Sequence, residues 1–131
     1  MRIILADHHE QPLRALTVLV QEEPDFELVG AVEDGKALLK LAEKALADVV
    51  LMDKELPGTE IDQTIARLHE LKPRPIVMVM SSELHNSRVI LKAGADAFVS
   101  KTEQPEWLLE ELHKYAREIK ANMDADRNEL A

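Results

Sequence analysis

Val49-Val50-Leu51-Met52-Asp53 is an apolar run that ends in a carboxylate, and the turn residues Leu56-Pro57-Gly58 follow almost at once. A short apolar run bounded by turn residues predicts a buried strand. In open α/β sheets, ligands bind and react at the carboxyl ends of the strands. The stretch therefore predicts the fold class and places a reactive aspartate, Asp53, at a strand end.

Three other apolar runs end in polar groups of complementary chemistry. They end at Asp7, at the pair Ser81-Ser82, and at Lys101. Two carboxylates, a hydroxyl and an ammonium group, each at the end of a separate strand, would form a site suited to a divalent cation and a phosphoryl group.

Strand and helix patterns alternate five times. The predicted strands are residues 2–6, 27–32, 48–52, 75–80 and 97–100. The helices between them are predicted from apolar residues at helical spacing. These residues extend to Leu46 in the second helix and to Leu71 in the third. The fourth helix is predicted to be short, over residues 88–93. This pattern predicts a flavodoxin-like, doubly wound α/β fold, with a five-stranded parallel sheet in the order 2-1-3-4-5 and helices on both faces. Strands 1 and 3 are neighbours in that order, so Asp7 and Asp53 should lie side by side.

The composition limits the classes of function. The 131 residues suit one domain, which we expect over residues 1–121, followed by a polar tail at 122–131 that is a frayed helix or the start of a linker. No apolar run approaches the length of a membrane span or a signal peptide, so no membrane association is expected. The absence of cysteine fits a cytoplasmic setting, and a net charge of −9 argues against direct nucleic-acid binding by this domain.

The chain resembles the receiver domains of two-component response regulators over about residues 1–121. The motifs are LADHH at residues 5–9, VVLMD with LPG at 49–58, Ser81-Ser82, AGADAF at 93–98, and Lys101. They are most similar to receivers of the helix-turn-helix (LuxR-type) output class. The resemblance implies two-component, phosphorelay signalling by a phosphoprotein that is not an enzyme beyond its own phosphorylation and dephosphorylation.

The same resemblance implies roles for individual residues. Asp53 would accept a phosphoryl group from a histidine kinase or phosphotransfer protein as an aspartyl phosphate. Asp7, Asp53 and the backbone carbonyl of Glu55 would hold Mg²⁺. A serine hydroxyl and Lys101 would contact the phosphate, and Phe98 would move with the switch. Ser81 and Ser82 are alternatives for the hydroxyl, and alignment to the strand end favours Ser81.

The chain departs from the family beside the first strand. The family has two consecutive acids there, whereas Asp7 is followed by His8. Imidazole suits Zn²⁺, Ni²⁺ or Cu²⁺ better than Mg²⁺, so Mg²⁺ binding should be weaker and another divalent cation is an alternative. His8 either ligates the metal or merely packs at the rim, and His9 is expected to be a solvent-facing loop residue.

Three further features bear on the signalling surface. The interval from Ser81 to Lys101 is about two residues shorter than in the receivers compared. Thr102 stands where many members have the proline that favours a cis peptide. Trp107 is either half-buried core or a partner contact, and the partners considered are a second copy of the domain or an output domain beyond Ala131.

Four functions remain as alternatives. The leading one is the phosphorylation-switched receiver, and the second is a pseudo-receiver that serves as an interaction scaffold without phosphorylation. A dehalogenase-like phosphatase would need a second aspartate at His9. A cobalamin-binding domain would need glycine where Pro12 stands.

Overall fold

The computed structural model describes residues 1–101 and 105–130. It contains five strands and five α-helices in strict alternation: β1 Arg2–Ala6, α1 Glu10–Glu22, β2 Glu27–Val32, α2 Gly35–Lys44, β3 Val49–Asp53, α3 Ile61–His69, β4 Ile76–Ser81, α4 Ser87–Lys92, β5 Ala97–Ser100 and α5 Pro105–Leu130. A single 3-10 turn, Leu84–Asn86, precedes α4. Within these ranges no helix is both long and apolar enough to cross a bilayer.

All strand pairs are parallel, and the sheet order is β2-β1-β3-β4-β5. The predicted fold class and strand order are therefore confirmed. Ala6 pairs with Met52 and Asp53 pairs with Met80. This register brings the residue after β1, Asp7, beside the last residue of β3, Asp53.

Two apolar cores form because alternate residues of the central strands point to opposite faces of the sheet. Ile3 and Leu5 of β1 pack on one face with residues of α1 and α5. Ile4 and Ala6 pack on the other face with residues of α2, α3 and α4. Because both faces are covered, only the strand ends and the loops remain available for chemistry.

The loops at the carboxyl edge have defined local structure. The Asp34 carboxylate caps α2 by accepting a hydrogen bond from the backbone N–H of Ala37 at 2.8 Å. Gly58, in the turn after β3, has φ +94°, and Gly94, after α4, has φ +107°. These two backbone conformations favour glycine, which has no Cβ to clash.

The element boundaries correct several sequence-based expectations. The helix α2 ends at Lys44, so Leu46 lies beyond it and is exposed. The helix α3 ends at His69, before Leu71. The helix α5 continues through the segment expected to be a frayed helix or linker, as far as Leu130. Thr102, where the cis peptide was considered, lies outside the described residues.

Candidate functional site

The carboxyl ends of β1, β3, β4 and β5 bring the predicted site residues to one edge of the sheet. Asp7, Asp53 and Ser81 are all buried, although each is polar. Lys101 follows β5, and its backbone N–H donates to the Ser81 carbonyl at 2.8 Å. Buried polar side chains cost free energy unless they are paired, so their concentration at one edge indicates a site.

Lys101 joins the two aspartates. Its Nζ donates to Asp7 Oδ2 at 2.6 Å and lies 3.7 Å from Asp53 Oδ2. The ammonium group therefore makes a short, charge-assisted hydrogen bond with one carboxylate and only a longer-range contact with the other. Asp7 Oδ1 also accepts the backbone N–H of His9 at 2.9 Å, so both Asp7 oxygens have partners.

The pKa of Asp7 lies below its ordinary value. Burial alone would raise it, but the hydrogen bond from Lys101, the backbone N–H of His9 and the positive charge of Lys101 together outweigh burial. Asp7 is therefore held as a carboxylate.

Asp53 has the opposite environment. It is only 4% exposed, and its Oδ2 has no hydrogen-bond partner within residues 1–101 and 105–130. Burial raises its pKa, and the negative charge of Asp7 adds to this effect, while Lys101, His9 and His8 partly oppose it. Asp53 thus presents a buried oxygen that other charged groups approach without bonding.

His8 and His9 both turn a ring nitrogen toward this oxygen. His8 Nδ1 lies 3.7 Å and His9 Nδ1 lies 3.5 Å from Asp53 Oδ2. His9 Nδ1 also lies 2.9 Å from Asp7 Oδ1, within hydrogen-bond distance. The two rings are 3.9 Å apart between centroids.

His9 is exposed, as predicted for a loop residue, but its ring also contacts the site. Its side chain is 46% exposed, but its Nδ1 faces the site. The signal was present in the sequence, because aspartate side chains commonly accept the N–H two residues ahead, which folds the chain back. The spacing of Asp7 and His9 brings the imidazole to the carboxylate in this way.

Ser81, rather than Ser82, is the buried serine at the strand end. Its Oγ accepts hydrogen bonds from the backbone N–H of Glu83 at 3.2 Å and from Asn86 Nδ2 at 3.1 Å. Ser82 is exposed. Sequence reasoning did not include Asn86, which lies in the 3-10 turn before α4 and ties that turn to Ser81.

The other predicted positions lie near this edge or on the surface. Phe98 is partly buried and packs against the core on the α2, α3 and α4 face. The Glu55 side chain is exposed, and the proposed use of its carbonyl remains a prediction. Trp107 is 55% exposed on α5, so it is not part of the core.

The site also has the composition of a cation site. Asp7, His8, His9 and Asp53 each offer one ligand atom, and these atoms all lie within 4.8 Å of one another. The carboxylates of Asp7 and Asp53 are sufficient acidic ligands for Mg²⁺, which takes one or two carboxylates plus waters and phosphate oxygens. Since Asp53 Oδ2 has no hydrogen-bond partner among the described residues, a cation or a phosphoryl group would fit as its partner.

This arrangement, a doubly wound parallel sheet with paired aspartates and a lysine at its carboxyl edge, is that of a receiver. Residues 3–113 match the family described as response regulator receiver domain, and the chain belongs to that family. The resemblance predicted from the motifs is confirmed, including the similarity to receivers of the LuxR-type output class.

Individual relatives support the same assignment. The chain is 33% identical over 116 residues to the nitrate/nitrite response regulator protein NarL of Escherichia coli K12, covering 87% of this chain and 54% of that protein. It thus spans about half the length of the curated relatives it matches.

Solved structures share the fold. The receiver domain of the NarL response regulator of Mycobacterium tuberculosis has a TM-score of 0.78 at 24% identity, covering 88% of this chain and 95% of the other. A LuxR-family DNA-binding response regulator of Staphylococcus aureus has a TM-score of 0.76 at 23% identity, covering 88% and 98%.

Proposed function

We propose that this receiver is switched by phosphorylation of Asp53. The observation that carries the proposal is the buried Asp53 Oδ2, which has no hydrogen-bond partner within the described ranges and lies 3.7 Å from the Lys101 ammonium. A carboxylate oxygen that no hydrogen-bond donor occupies can attack an electrophilic phosphorus, and the nearby cation can stabilise the negative charge of the phosphoryl group that is transferred.

In the proposed step, Asp53 Oδ2 forms a bond to the phosphorus of a phosphohistidine. The phosphorus–nitrogen bond of the donor breaks, and its electron pair returns to the donor imidazole. Phosphoryl transfer depends mainly on positioning and charge neutralisation. Lys101 supplies one positive charge, and its bond to Asp7 holds it at the edge of the site.

Mg²⁺ would be held by Asp7, Asp53 and the backbone carbonyl of Glu55. When bound, it supplies positive charge to the phosphoryl oxygens. His8 stands where the family has a second acid, so the site offers Mg²⁺ one fewer carboxylate.

Ser81 is the hydroxyl that we assign to the phosphate. Its two contacts, with Glu83 and Asn86, both use Oγ as the acceptor, so its proton is the group that can donate to a phosphate. Such a donation would loosen the contact with Asn86 and shift the 3-10 turn and α4. Phe98, partly buried on β5, is the side chain that would move with them.

The proposed phosphoryl donor is a histidine kinase or a phosphotransfer protein, and the proposed location is the cytoplasm. The output would be either a second copy of this domain or a fused domain. No chemistry beyond gain and loss of the Asp53 phosphoryl group is proposed.

The test is intact-mass measurement after incubation with acetyl phosphate and Mg²⁺. The wild-type chain should gain about 80 Da, one phosphoryl group. Asp53→Asn should gain nothing, whereas Asp62→Asn, an exposed position on α3, should label normally. Labelling of Asp53→Asn at the wild-type rate would refute the assignment.

A pseudo-receiver that acts as a scaffold is the second candidate. It is favoured by the two imidazoles, which lie 3.5 and 3.7 Å from Asp53 Oδ2 on the side where the family has an acid. A wild-type chain that stays unlabelled in the same measurement, yet is folded, would support this function instead.

A further inference from the structure

Four potential ligand atoms converge on the Asp53 edge of the site. They belong to Asp7, His8, His9 and Asp53, and all lie within 4.8 Å of one another. The two distances that involve Asp53 Oδ2 are 3.5 Å to His9 Nδ1 and 3.7 Å to His8 Nδ1. Two adjacent histidines therefore direct the same ring nitrogen to one carboxylate oxygen.

The two distances to Asp53 Oδ2 are close to the distance between neighbouring ligands of a small tetrahedral ion. Nitrogen and oxygen ligands bind Zn²⁺ at about 2.0–2.2 Å, which places tetrahedral ligands about 3.3–3.6 Å apart. The contacts of His9 and His8 with Asp53 Oδ2 lie at or just beyond this range. His9 Nδ1 and Asp7 Oδ1 are closer, at 2.9 Å, since they are at hydrogen-bond distance, and an ion between them would replace that bond.

A second observation points to a ligand at the same place. Asp53 is 4% exposed, and its Oδ2 lacks a hydrogen bond in the part of the chain that the structure describes. Lys101 Nζ stays 3.7 Å away because it is engaged with Asp7 Oδ2 at 2.6 Å. That hydrogen bond holds the Asp7 carboxylate with Oδ1 directed to the cluster, as supporting residues do in metal sites. Lys101 Nζ also lies 3.4 Å from His9 Nδ1, so an ion bound there would displace the ammonium group from this contact.

The types of ligand in this cluster determine which cations it prefers. Two imidazoles and two carboxylates favour Zn²⁺, Co²⁺, Ni²⁺ or Cu²⁺, whereas Mg²⁺ takes oxygen ligands and keeps most of its waters. We propose that Asp7, His8, His9 and Asp53 form a site for a divalent transition-metal ion of the Zn²⁺ type, and that this ion and a phosphoryl group compete for Asp53 Oδ2. The competition rests on the proposed function, while the metal site does not.

The chain offers an internal control. Glu23, Asp25 and His113 form a second group of metal-ligand type between the described parts of α1 and α5. It contains one imidazole rather than two, and its members are partly or fully exposed. A general attraction of Zn²⁺ to acidic histidine clusters would involve this group equally.

The binding test uses the full chain stripped of metal. Zn²⁺ is titrated in competition with a chromophoric chelator, and Co²⁺ is followed by its visible spectrum. One equivalent should bind, with the intense bands of tetrahedral Co²⁺. His8→Ala and His9→Ala should each weaken Zn²⁺ binding about tenfold or more, and His113→Ala should leave it unchanged. Unchanged affinity in His8→Ala and His9→Ala, or equal loss in His113→Ala, would overturn the site.

A second test uses only the wild-type chain, so its result does not depend on whether the variants fold. Side-chain NMR during Zn²⁺ addition should shift the ring signals of His8 and His9, and leave those of His69, His85 and His113 in place. Shifts confined to the other histidines, or a site that Mg²⁺ occupies as tightly as Zn²⁺, would contradict the inference.

Intact-mass labelling then separates this inference from the proposed function. One equivalent of Zn²⁺ should block labelling by acetyl phosphate and Mg²⁺, and a chelator should restore it. Labelling with Mg²⁺ but no Zn²⁺ binding at His8 and His9 would overturn the metal site alone. Zn²⁺ binding without labelling in any condition would overturn phosphorylation alone, and binding that leaves labelling intact would overturn the competition.

Discussion

Asp7 and Asp53 are neighbouring buried carboxylates whose pKa values move in opposite directions. Lys101 bonds directly to Asp7 and lies farther from Asp53, so Asp7 is compensated for its burial and Asp53 is not. The difference keeps Asp7 as a carboxylate and sets apart Asp53 Oδ2, the atom that we propose to react with the phosphoryl group. Functional sites often retain such an unfavourable group at a cost in stability.

Substitution of these two residues should therefore change stability with opposite signs. Because the pKa of Asp53 is raised in the fold, its ionisation weakens the fold as pH rises above the ordinary aspartate pKa. Asp53→Asn should raise the free energy of unfolding at pH 7 by about 0.5–2 kcal/mol, and the gain should vanish below about pH 4. Urea denaturation with a chelator at several pH values measures this.

Asp7→Asn is the matched comparison. The pKa of Asp7 is lowered, so its stabilising effect is present above the ordinary aspartate pKa and is lost as pH falls through the lowered value. The variant should be destabilised at pH 7 by about 1–3 kcal/mol, the scale of a buried charged hydrogen bond. Destabilisation by Asp53→Asn at pH 7 would contradict the contrast between the two sites.

In the proposed metal site His8 sets the cation preference, so His8→Asp should reverse that preference. The aspartate adds one charge and one oxygen ligand where the family has an acid. Mg²⁺ binding should tighten by about 1–3 kcal/mol, and Zn²⁺ binding should weaken. Isothermal titration calorimetry with each ion gives both values. His85→Asp, a change at another exposed histidine, should leave both affinities near wild type, and equal Mg²⁺ affinity in wild type and His8→Asp would show that His8 does not face the metal.

At the scale of elements, short helices and turns position the site side chains at the carboxyl edge of the sheet. The helix α4 has only six residues and ends where Gly94 turns the chain into β5. The nearby Asp96 carboxylate accepts the backbone N–H of Val77 at 2.8 Å and pairs with Arg74 at 2.6 Å, which secures the start of β5 beside β4. The position of Lys101 at the far end of β5 depends on this anchor.

Gly94→Ala should therefore destabilise the whole domain and not only the turn after α4. Its φ of +107° is unfavourable for a residue with a Cβ, and the added methyl group would lie 3.4 Å from Ile65 Cγ2. We expect a loss of about 1–2 kcal/mol in unfolding free energy, the cost of a left-handed backbone in a non-glycine residue. Chemical denaturation, with Lys92→Ala on the exposed side of α4 as the control, measures it. A loss no greater than that of Lys92→Ala would contradict the role of the backbone conformation.

At the scale of the whole molecule, α5 is the longest helix of the structure. It contains residue 121, where the sequence predicts the end of the domain. Its buried residues are Leu108, Leu112 and Ala116, while Ile119 and Met123 pack only partly against the core. The packing therefore fades along the helix, close to the boundary expected at residue 121.

A chain truncated after Ala121 should remain folded. It loses the partly buried Met123 and its contact with Arg74, so the expected loss in unfolding free energy is about 1–2 kcal/mol, below that of removing a fully buried methionine. Thermal denaturation and phosphorylation of the 1–121 chain measure the effect. Loss of cooperative unfolding would show that the domain extends beyond residue 121.

Much of this molecule could be predicted from its sequence because its signals are local. Runs of apolar residues, with glycine and proline between them, determine the strands, and the crossover rules then give the order 2-1-3-4-5. Asp7, Asp53, Ser81 and Lys101 follow from that order, since parallel strands end at the same edge. Helix ends were less predictable, as Leu46 and Leu71 show, because apolar residues continue past the last helical turn.

The tertiary structure alone decided how the site residues divide their contacts. The sequence places Lys101 near both aspartates. It does not reveal that Lys101 bonds to Asp7, or that Asp53 Oδ2 has no hydrogen-bond partner among the residues that the structure describes. It also does not reveal that His9 turns toward the carboxylates. Pairing among side chains of different strands depends on sub-ångström positions and on competition for the same atom, and only the packed fold fixes these.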